Sequence, residues 1–188
     1  MDTSTATAAL IEAGRRLDAA SLLVTASGRH KGRLGPADFV VVDYDGSPRA
    51  NMGSTGPSAE TPLHALMFRL DPSIGAVVHT HSVTCTVLGM QLAGLPSLEL
   101  VGYEMLKALP GVTTHERPVS IPIFENSQDV RALALRVQER WQTAPFPGYV
   151  LRGHGLYAWG QDVDAALRAA EGLEFLMACE LEKRKGPR

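Results

Sequence analysis

The sequence has few cysteines, no long apolar run and no basic leader. Its 188 residues include only two cysteines, Cys85 and Cys179, with no CxxC spacing. A disulfide framework is therefore not expected, and a reducing compartment, the cytoplasm, is predicted. No run of about 18 apolar residues occurs, so no membrane-spanning helix is expected. Residues 1–9 are polar and lack a basic start followed by an apolar stretch, so they are not expected to be a signal peptide.

A strong excess of charge of either sign is also missing. Eighteen Lys and Arg residues face twenty Asp and Glu residues, for a formal net charge of −2. The chain therefore lacks the overall positive charge that is typical of proteins that bind nucleic acid or an anionic membrane surface. Any basic feature is therefore expected to be a local site.

The rest of the composition is typical of a globular protein, and we predict one α/β domain covering residues 1–188. Hydrophobic residues make up 45% of the chain and charged residues 20%, which excludes intrinsic disorder. Helix and strand signals alternate along the chain and predict helices packed against a mostly central sheet. Helices are predicted over residues 8–20, 57–70, 82–90, 129–141 and from 162 onwards, and strands over 21–25, 39–44, 75–80, 98–101, 119–124, 149–151 and 156–159.

Three histidines carry the clearest chemical signal. His79 and His81 stand two apart at the end of a predicted strand, so their side chains point to the same face. Alone, such a pair could be two satisfied polar groups. His154, between two glycines, adds a third imidazole, and three neutral imidazoles with an open fourth position describe a catalytic zinc. Iron, cobalt, nickel and manganese also accept imidazole ligands. The other histidines (His30, His64 and His115) lack such a pattern.

Two glutamates and one loop are further candidates. Glu60 and Glu104 could each be an ordinary acid in the first turn of a helix, or the proton carrier that a Lewis-acid site needs. The segment from Ser27 to Gly32 is polar, cationic and follows a strand. Its glycines and Lys31 suit an anionic group such as phosphate.

Taken together, these motifs resemble the class II aldolase/adducin superfamily, and within it the methylthioribulose-1-phosphate dehydratases of methionine salvage. The HTHS and HGLYxWG elements indicate the superfamily, and GYEMLKAL and IPIFENSQD favour the dehydratases over aldolases and epimerases. The resemblance implies a three-layer αβα domain with a central, largely antiparallel sheet. The matching stretches are TASGRHKGRLGPADFVVVD, PSAETPLHALMF, AVVHTHSVTCTVL, GYEMLKALPGVTTHE, IPIFENSQD and LRGHGLYAWG.

The resemblance also implies roles for individual residues. One Zn²⁺ per subunit would be bound by three histidines, and a glutamate of the EMxK motif, Glu104, would be the catalytic acid/base. Glu60, which corresponds to the acid/base of related aldolases, is the second candidate for that role. The implied zinc ligands are His79, His81 and His154, and the implied phosphate contacts are Ser27, Gly28 and Ser58, with Lys31 nearby.

The implied activity is dehydration of 5-methylthioribulose 1-phosphate to 2,3-diketo-5-methylthiopentyl 1-phosphate. The implied assembly is a homotetramer with active sites at subunit interfaces, acting on a small sugar phosphate without nucleic-acid or membrane partners. Two alternatives stay open. One is a zinc-dependent sugar-phosphate aldolase or epimerase, and the other is a non-catalytic adducin-like binding module, against which the intact set of three histidines argues.

The sequence departs from the resemblance at one point. Related proteins carry a Gly-Asn-hydroxyl segment before the TASG strand, whereas Ala20 here runs directly into Ser21. Either the segment is deleted, which would weaken phosphate binding, or the numbering closes over a mobile loop. The second interpretation is favoured. It predicts a gap longer than the roughly 3.8 Å between consecutive Cα atoms, somewhere over residues 18–22.

Overall fold

The computed structural model describes residues 21–29, 34–49 and 56–186. The chain divides into two compact units. The first unit comprises Met1–Asp71 with Val130–Ala134, and the second comprises Pro72–Asp129 with Leu135–Arg188. The helix predicted over residues 8–20 and the Ala20–Ser21 junction, with its predicted gap, lie outside the described residues. That residues 1–188 form a single domain stays a prediction.

A two-stranded antiparallel sheet forms the framework of the first unit. Strand β1 (Leu22–Thr25) pairs with β2 (Phe39–Val42). Helix α1 (Thr61–Leu70) contributes Ala65 to the apolar face of this hairpin. Alternation along both strands gives that face its apolar side chains. The buried cluster consists of Leu22, Val24, Ala26, Val40, Val42 and Ala65.

Two elements in the first unit are shorter than the sequence predicts. The strand predicted over residues 39–44 ends two residues early, because the Asp43 carboxylate accepts hydrogen bonds at 2.8–2.9 Å from N–H groups of the following turn. The helix predicted over residues 57–70 begins only at Thr61. Pro57 instead forms an isolated antiparallel bridge with Ala26.

A five-stranded mixed sheet forms the centre of the second unit. Its order is β3-β7-β6-β5-β4. Strands β5 and β6 are parallel, and the other three pairings are antiparallel. The predicted α/β class with a largely antiparallel central sheet is therefore confirmed. The strands are β3 (Ala76–Thr80), β4 (Ser97–Leu100), β5 (Val119–Phe124), β6 (Gly148–Leu151) and β7 (Gly155–Gly160).

Helices follow three of these strands. Helix α2 (Val83–Gln91) follows β3, α3 (Val130–Thr143) follows β5, and α4 (Val163–Lys183) follows β7. Helix α4 begins after the predicted Asp162, whose carboxylate accepts a hydrogen bond from the Ala165 N–H at 2.7 Å. None of the helices in the described part of the chain is long and apolar enough to cross a membrane.

Side-chain alternation on β7 gives the sheet two different apolar faces. Leu156 and Ala158 are fully buried in a core that includes Leu173 of α4. Tyr157 and Trp159 point to the opposite face. There Trp159 lies 5.6 Å from Trp141 of α3, measured between ring centroids. Helical side chains therefore cover both faces of the sheet, as the predicted three-layer arrangement requires.

Candidate metal centre

Three histidines converge at one end of the β3–β7 pair. His79 lies on β3 opposite Tyr157 of β7, and His81 follows the last residue of β3. His154 lies in the turn that joins β6 to β7. Because β3 and β7 are antiparallel, this turn lies beside the end of β3 at Thr80. The structure thus brings together the three ligands that the sequence predicts.

The Nε2 atoms of the three rings form a small triangle. The Nε2–Nε2 distances are 2.7 Å from His79 to His81, 3.0 Å from His81 to His154 and 3.4 Å from His79 to His154. A point equidistant from all three atoms lies about 1.8 Å from each in their plane. A triangle of this size is compatible with one ion held by all three nitrogens at about 2.0–2.1 Å, the usual Zn–N length.

Hydrogen bonds at the Nδ1 atoms of two of the rings determine which ring nitrogen carries the proton. Nδ1 of His79 lies 2.8 Å from the Leu156 carbonyl oxygen, and Nδ1 of His154 lies 3.3 Å from Oδ1 of Asn126. The same Oδ1 accepts the Ser127 N–H at 2.9 Å, which identifies it as the amide oxygen. Both Nδ1 atoms therefore donate, and both Nε2 atoms present lone pairs. Converging lone pairs repel unless a cation lies between them, so this donor set fits a divalent metal ion.

Packing holds the His79 ring in place. It stacks on Tyr157, with 4.1 Å between centroids and 23° between planes. Tyr157 stacks in turn on Tyr149 at 4.7 Å and 9°. Both tyrosines are fully buried. His81 is exposed, and its ring centroid lies 4.6 Å from that of His79 and 4.7 Å from that of His154.

Two glycines shape the turn that carries His154. Gly153 has a φ of +67°, a conformation that other residues rarely adopt. A Cβ on Gly155 would lie 1.8 Å from the Thr80 carbonyl oxygen, so only glycine allows β7 to approach β3 this closely. The predicted role of the flanking glycines, presentation of His154 into a site, has this geometric basis.

Arg152 fastens the same turn to its surroundings. Its Nε donates to the Glu125 carboxylate at 2.6 Å, and its other nitrogens donate to the carbonyl oxygens of Gly89 and Leu95 at 2.5 and 3.1 Å. The Thr86 hydroxyl donates to the His154 carbonyl oxygen at 3.1 Å. Helix α2 and the segment after it therefore hold the turn from one side.

Glu104 is not in contact with the three histidines in the described part of the chain. It begins a 3₁₀ turn (Glu104–Ala108), and its side chain is 72% exposed. Its carboxylate lies 2.6 Å from Nζ of Lys107 and 3.1 Å from Nδ1 of His115. The hydrogen bond from Lys107, followed by the charges of Lys107 and His115, lowers the pKa of Glu104. Glu104 is therefore ionised at neutral pH, the form that a general base requires.

The other predicted site residues lie in the first unit. Pairing of Ala26 with Pro57 brings the loop at Ser27 and Gly28 beside Ser58, and the Ser27 N–H donates to the Gly56 carbonyl oxygen at 3.0 Å. The exposed Gly28 has a φ of +72°. Lys31 and His30 lie outside the described residues.

Glu60 directly precedes α1 in that unit. Its N–H donates to Oγ of Ser58 at 3.3 Å. Its carbonyl oxygen accepts from the N–H of His64 at 3.3 Å, at the start of the helix. Glu60 therefore precedes the first turn of the helix, and its side chain does not cap it. Both interpretations of its carboxylate, a helix-start acid or a proton carrier, stay predictions.

The sequence interpretation missed several residues that support the site. Asn126 orients His154, and His115 pairs with Glu104. Glu174 of α4 accepts hydrogen bonds from Thr80 and Ser82. Asn126 lies within the IPIFENSQD motif, which could have drawn attention to it, whereas Glu174 has no local signal.

A known protein family and named relatives match most of the chain. The family model described as Class II Aldolase and Adducin N-terminal domain matches residues 4–181. The chain is 49% identical over 170 residues to the methylthioribulose-1-phosphate dehydratase of Hahella chejuensis, covering 89% of this chain and 80% of that protein. It is 52% identical over 170 residues to the protein of the same name from Pectobacterium carotovorum, covering 90% and 82% respectively.

A solved structure shows the same fold at lower sequence identity. The L-fuculose-1-phosphate aldolase from Thermus thermophilus superposes with a TM-score of 0.66 at 24% identity. The match covers 96% of this chain and 95% of that one. The similarity therefore extends over nearly the full length of both chains.

Proposed function

Because the chain belongs to the class II aldolase and adducin N-terminal domain family, we propose that it is a metal-dependent hydro-lyase of methionine salvage. It removes water from 5-methylthioribulose 1-phosphate and gives 2,3-diketo-5-methylthiopentyl 1-phosphate. The relatives that support this substrate carry the dehydratase name at 49% and 52% identity. The observation that carries the chemistry is the triangle of Nε2 atoms, with edges of 2.7–3.4 Å.

We propose Zn²⁺, one ion per subunit, as the metal held by His79, His81 and His154. Three imidazoles leave a fourth position open for substrate, as in catalytic zinc sites. When bound, the ion supplies positive charge that polarises the substrate carbonyl at C2 and so acidifies the proton at C3.

The carboxylate of Glu104 is the proposed acid/base. It takes the proton from C3 and returns it to the hydroxyl at C4, which leaves as water. One carboxylate thus serves both transfers, and the reaction needs no oxidant or reductant. The lowered pKa of Glu104 keeps it ionised for the first transfer. Glu60 is the second candidate for the role.

The proposed assembly is a homotetramer with active sites between subunits. Glu104 is 72% exposed, and in the described part of its own chain it pairs with Lys107 and His115 rather than with the three proposed metal ligands. Such an exposed carboxylate is available to a site formed with a neighbouring copy.

Ser27, Gly28, Ser58 and Lys31 are the proposed phosphate contacts. The bridge between Ala26 and Pro57 brings the exposed Ser27 and Gly28 beside the half-buried Ser58. Backbone N–H groups and a lysine suit a phosphate group. We place the reaction in the cytoplasm, since Cys85 and Cys179 are both free thiols.

Three measurements on the purified protein test this function. Metal content is determined first, with one zinc per chain expected. Turnover of 5-methylthioribulose 1-phosphate is then compared with turnover of L-fuculose 1-phosphate, an aldolase substrate. Loss of water from the methylthio sugar alone supports the dehydratase. Cleavage of fuculose 1-phosphate without dehydration would instead identify an aldolase, and a metal-free protein without either activity would identify a binding module.

A further inference from the structure

One carboxylate behind the metal centre holds both hydroxyl side chains of the HTHS segment. Glu174 of α4 accepts a hydrogen bond from Oγ1 of Thr80 through one oxygen and from Oγ of Ser82 through the other. Thr80 and Ser82 are the two residues that flank His81. Glu174 therefore contacts the chain on both sides of a proposed metal ligand.

The alternation of an extended backbone explains how one segment serves both purposes. Successive side chains point to opposite sides, so His79 and His81 turn towards the metal centre while Thr80 and Ser82 turn towards α4. Helix α4 contacts the end of β3 on the side to which Thr80 and Ser82 point. Helix and metal centre therefore lie on opposite sides of the same four residues.

Ser82 connects the carboxylate to helix α2 as well. Its hydroxyl oxygen accepts the N–H of Cys85 at 3.0 Å, which caps the start of α2. The same hydroxyl donates its proton to Glu174. Glu174 thereby fixes the hydroxyl of Ser82, which is the last residue of the HTHS segment and the N-cap of α2.

The thiol of Cys85 interacts electrostatically with Glu174. Cys85 is fully buried. Burial, and secondarily the charge of Glu174, raises the pKa of its thiol to about 12. Cys85 therefore stays a neutral thiol, and the hydrogen-bond partners of the Glu174 carboxylate in the described chain are the two hydroxyls.

We propose that Glu174 is a positioning residue of the metal centre, which through the hydroxyls of Thr80 and Ser82 fixes the backbone around His81. His79 and His154 have their own ring contacts with Leu156, Tyr157 and Asn126. His81 is the exposed member of the three, and it stands between the two residues whose hydroxyls Glu174 accepts. The proposal rests on the proposed function, because it requires that the histidines bind a metal.

Metal affinity measures this role without reference to turnover. Zinc is titrated into the metal-free protein in competition with a chromophoric chelator. Glu174→Leu, which removes both acceptors at similar size, is expected to bind zinc about 10–100-fold more weakly, as is usual when an outer contact of a ligand is lost. Glu174→Gln keeps one acceptor and is expected to lie between that variant and the natural protein. Glu171→Leu, at an exposed position one turn earlier on α4, is the matched control and is expected to leave affinity unchanged.

A cobalt spectrum separates positioning from stability. With Co²⁺ in place of zinc, the visible absorption of the saturated protein reports the geometry of the ligands. Glu174→Leu is expected to shift these bands, whereas a purely structural role would lower the unfolding midpoint and leave the saturated spectrum unchanged. Thr80→Val, which removes one hydroxyl at constant size, is expected to shift the bands and weaken zinc binding in the same direction.

The outcomes for the two proposals are distinguishable. Natural affinity and natural cobalt bands in both Glu174→Leu and Thr80→Val would overturn the positioning role and leave the proposed function standing. Failure of the natural protein to bind zinc would overturn the proposed function itself. If Glu174→Leu does not fold, Thr80→Val alone decides the question.

Discussion

His79 donates a hydrogen bond from Nδ1 to the main-chain carbonyl oxygen of Leu156, 2.8 Å away on the neighbouring strand. This bond lets the sheet itself fix the tautomer of a proposed metal ligand, since the proton on Nδ1 leaves a lone pair on Nε2. No side chain is needed as the acceptor. His79 is therefore as rigid as the β3–β7 pairing that carries it.

His154 depends on a side chain instead, and removing that side chain should weaken metal binding. Asn126→Ala deletes the amide oxygen 3.3 Å from Nδ1 of His154. We expect zinc affinity to fall by about 10-fold, the lower end for lost outer contacts. A competition titration measures the change, with the exposed neighbour Gln128→Ala as control. Equal affinities for the two variants would show that Asn126 does not orient the ring.

Glu104→Gln should keep the metal and lose turnover. The amide cannot carry the proton, so we expect dehydration to slow by about 10²–10⁴-fold, the usual contribution of a general acid/base. Zinc content and steady-state rates are measured on the same preparation. Glu60→Gln is the comparison variant. If Glu60→Gln is inactive and Glu104→Gln is nearly normal, the acid/base is Glu60.

Gly155→Ala should damage the metal centre without touching a ligand. The added Cβ would lie 1.8 Å from the Thr80 carbonyl oxygen, so the start of β7 must move away from the end of β3, and His154 moves with it. We expect loss of measurable zinc binding and a lower unfolding midpoint. Gly56→Ala is the control, since a Cβ there meets no atom of the described residues within 4 Å. Normal zinc binding by Gly155→Ala would contradict this account.

Glu180 should make stability depend on pH in the acid range. Burial alone would raise the pKa of this carboxyl, but hydrogen bonds from Lys183, Arg184 and Tyr103 outweigh burial and lower its pKa to about 2, from the ordinary 4.5. A lowered pKa stabilises the folded state above pH 4.5, and this contribution is lost as the pH falls from 4.5 towards 2.

Glu180→Gln tests that dependence. At pH 7 we expect the variant to be less stable by roughly 1–3 kcal/mol, a difference that shrinks as the pH approaches 3. Urea unfolding at several pH values measures it. Glu182→Gln, which removes an exposed carboxylate paired with Lys185, should change stability by less than about 0.5 kcal/mol. A difference that does not vary with pH would show that the charge of Glu180 is not the cause.

Local patterns were sufficient to predict most elements of the second unit. The cap at Ser82 and the cap at Asp162 each accept the expected N–H bond, at 3.0 and 2.7 Å. The strand predicted over residues 119–124 has those bounds in the structure. Errors arose where a turn competed with a pattern, as at Asp43, whose carboxylate satisfies the turn N–H groups that a longer strand would have paired.

The sequence by itself was sufficient to identify the three histidines of the centre as candidate ligands, because alternation on a strand and glycines beside His154 are local properties. The tertiary structure alone decided what holds those histidines. The bond from His79 to Leu156 joins residues 77 apart, and the bonds from Thr80 and Ser82 to Glu174 join residues 94 and 92 apart. No periodicity or short motif encodes such pairs, since they arise only when α4 packs against β3 and β7 lies beside it. The ligands were therefore predictable from the chain, and their supports became visible only in the fold.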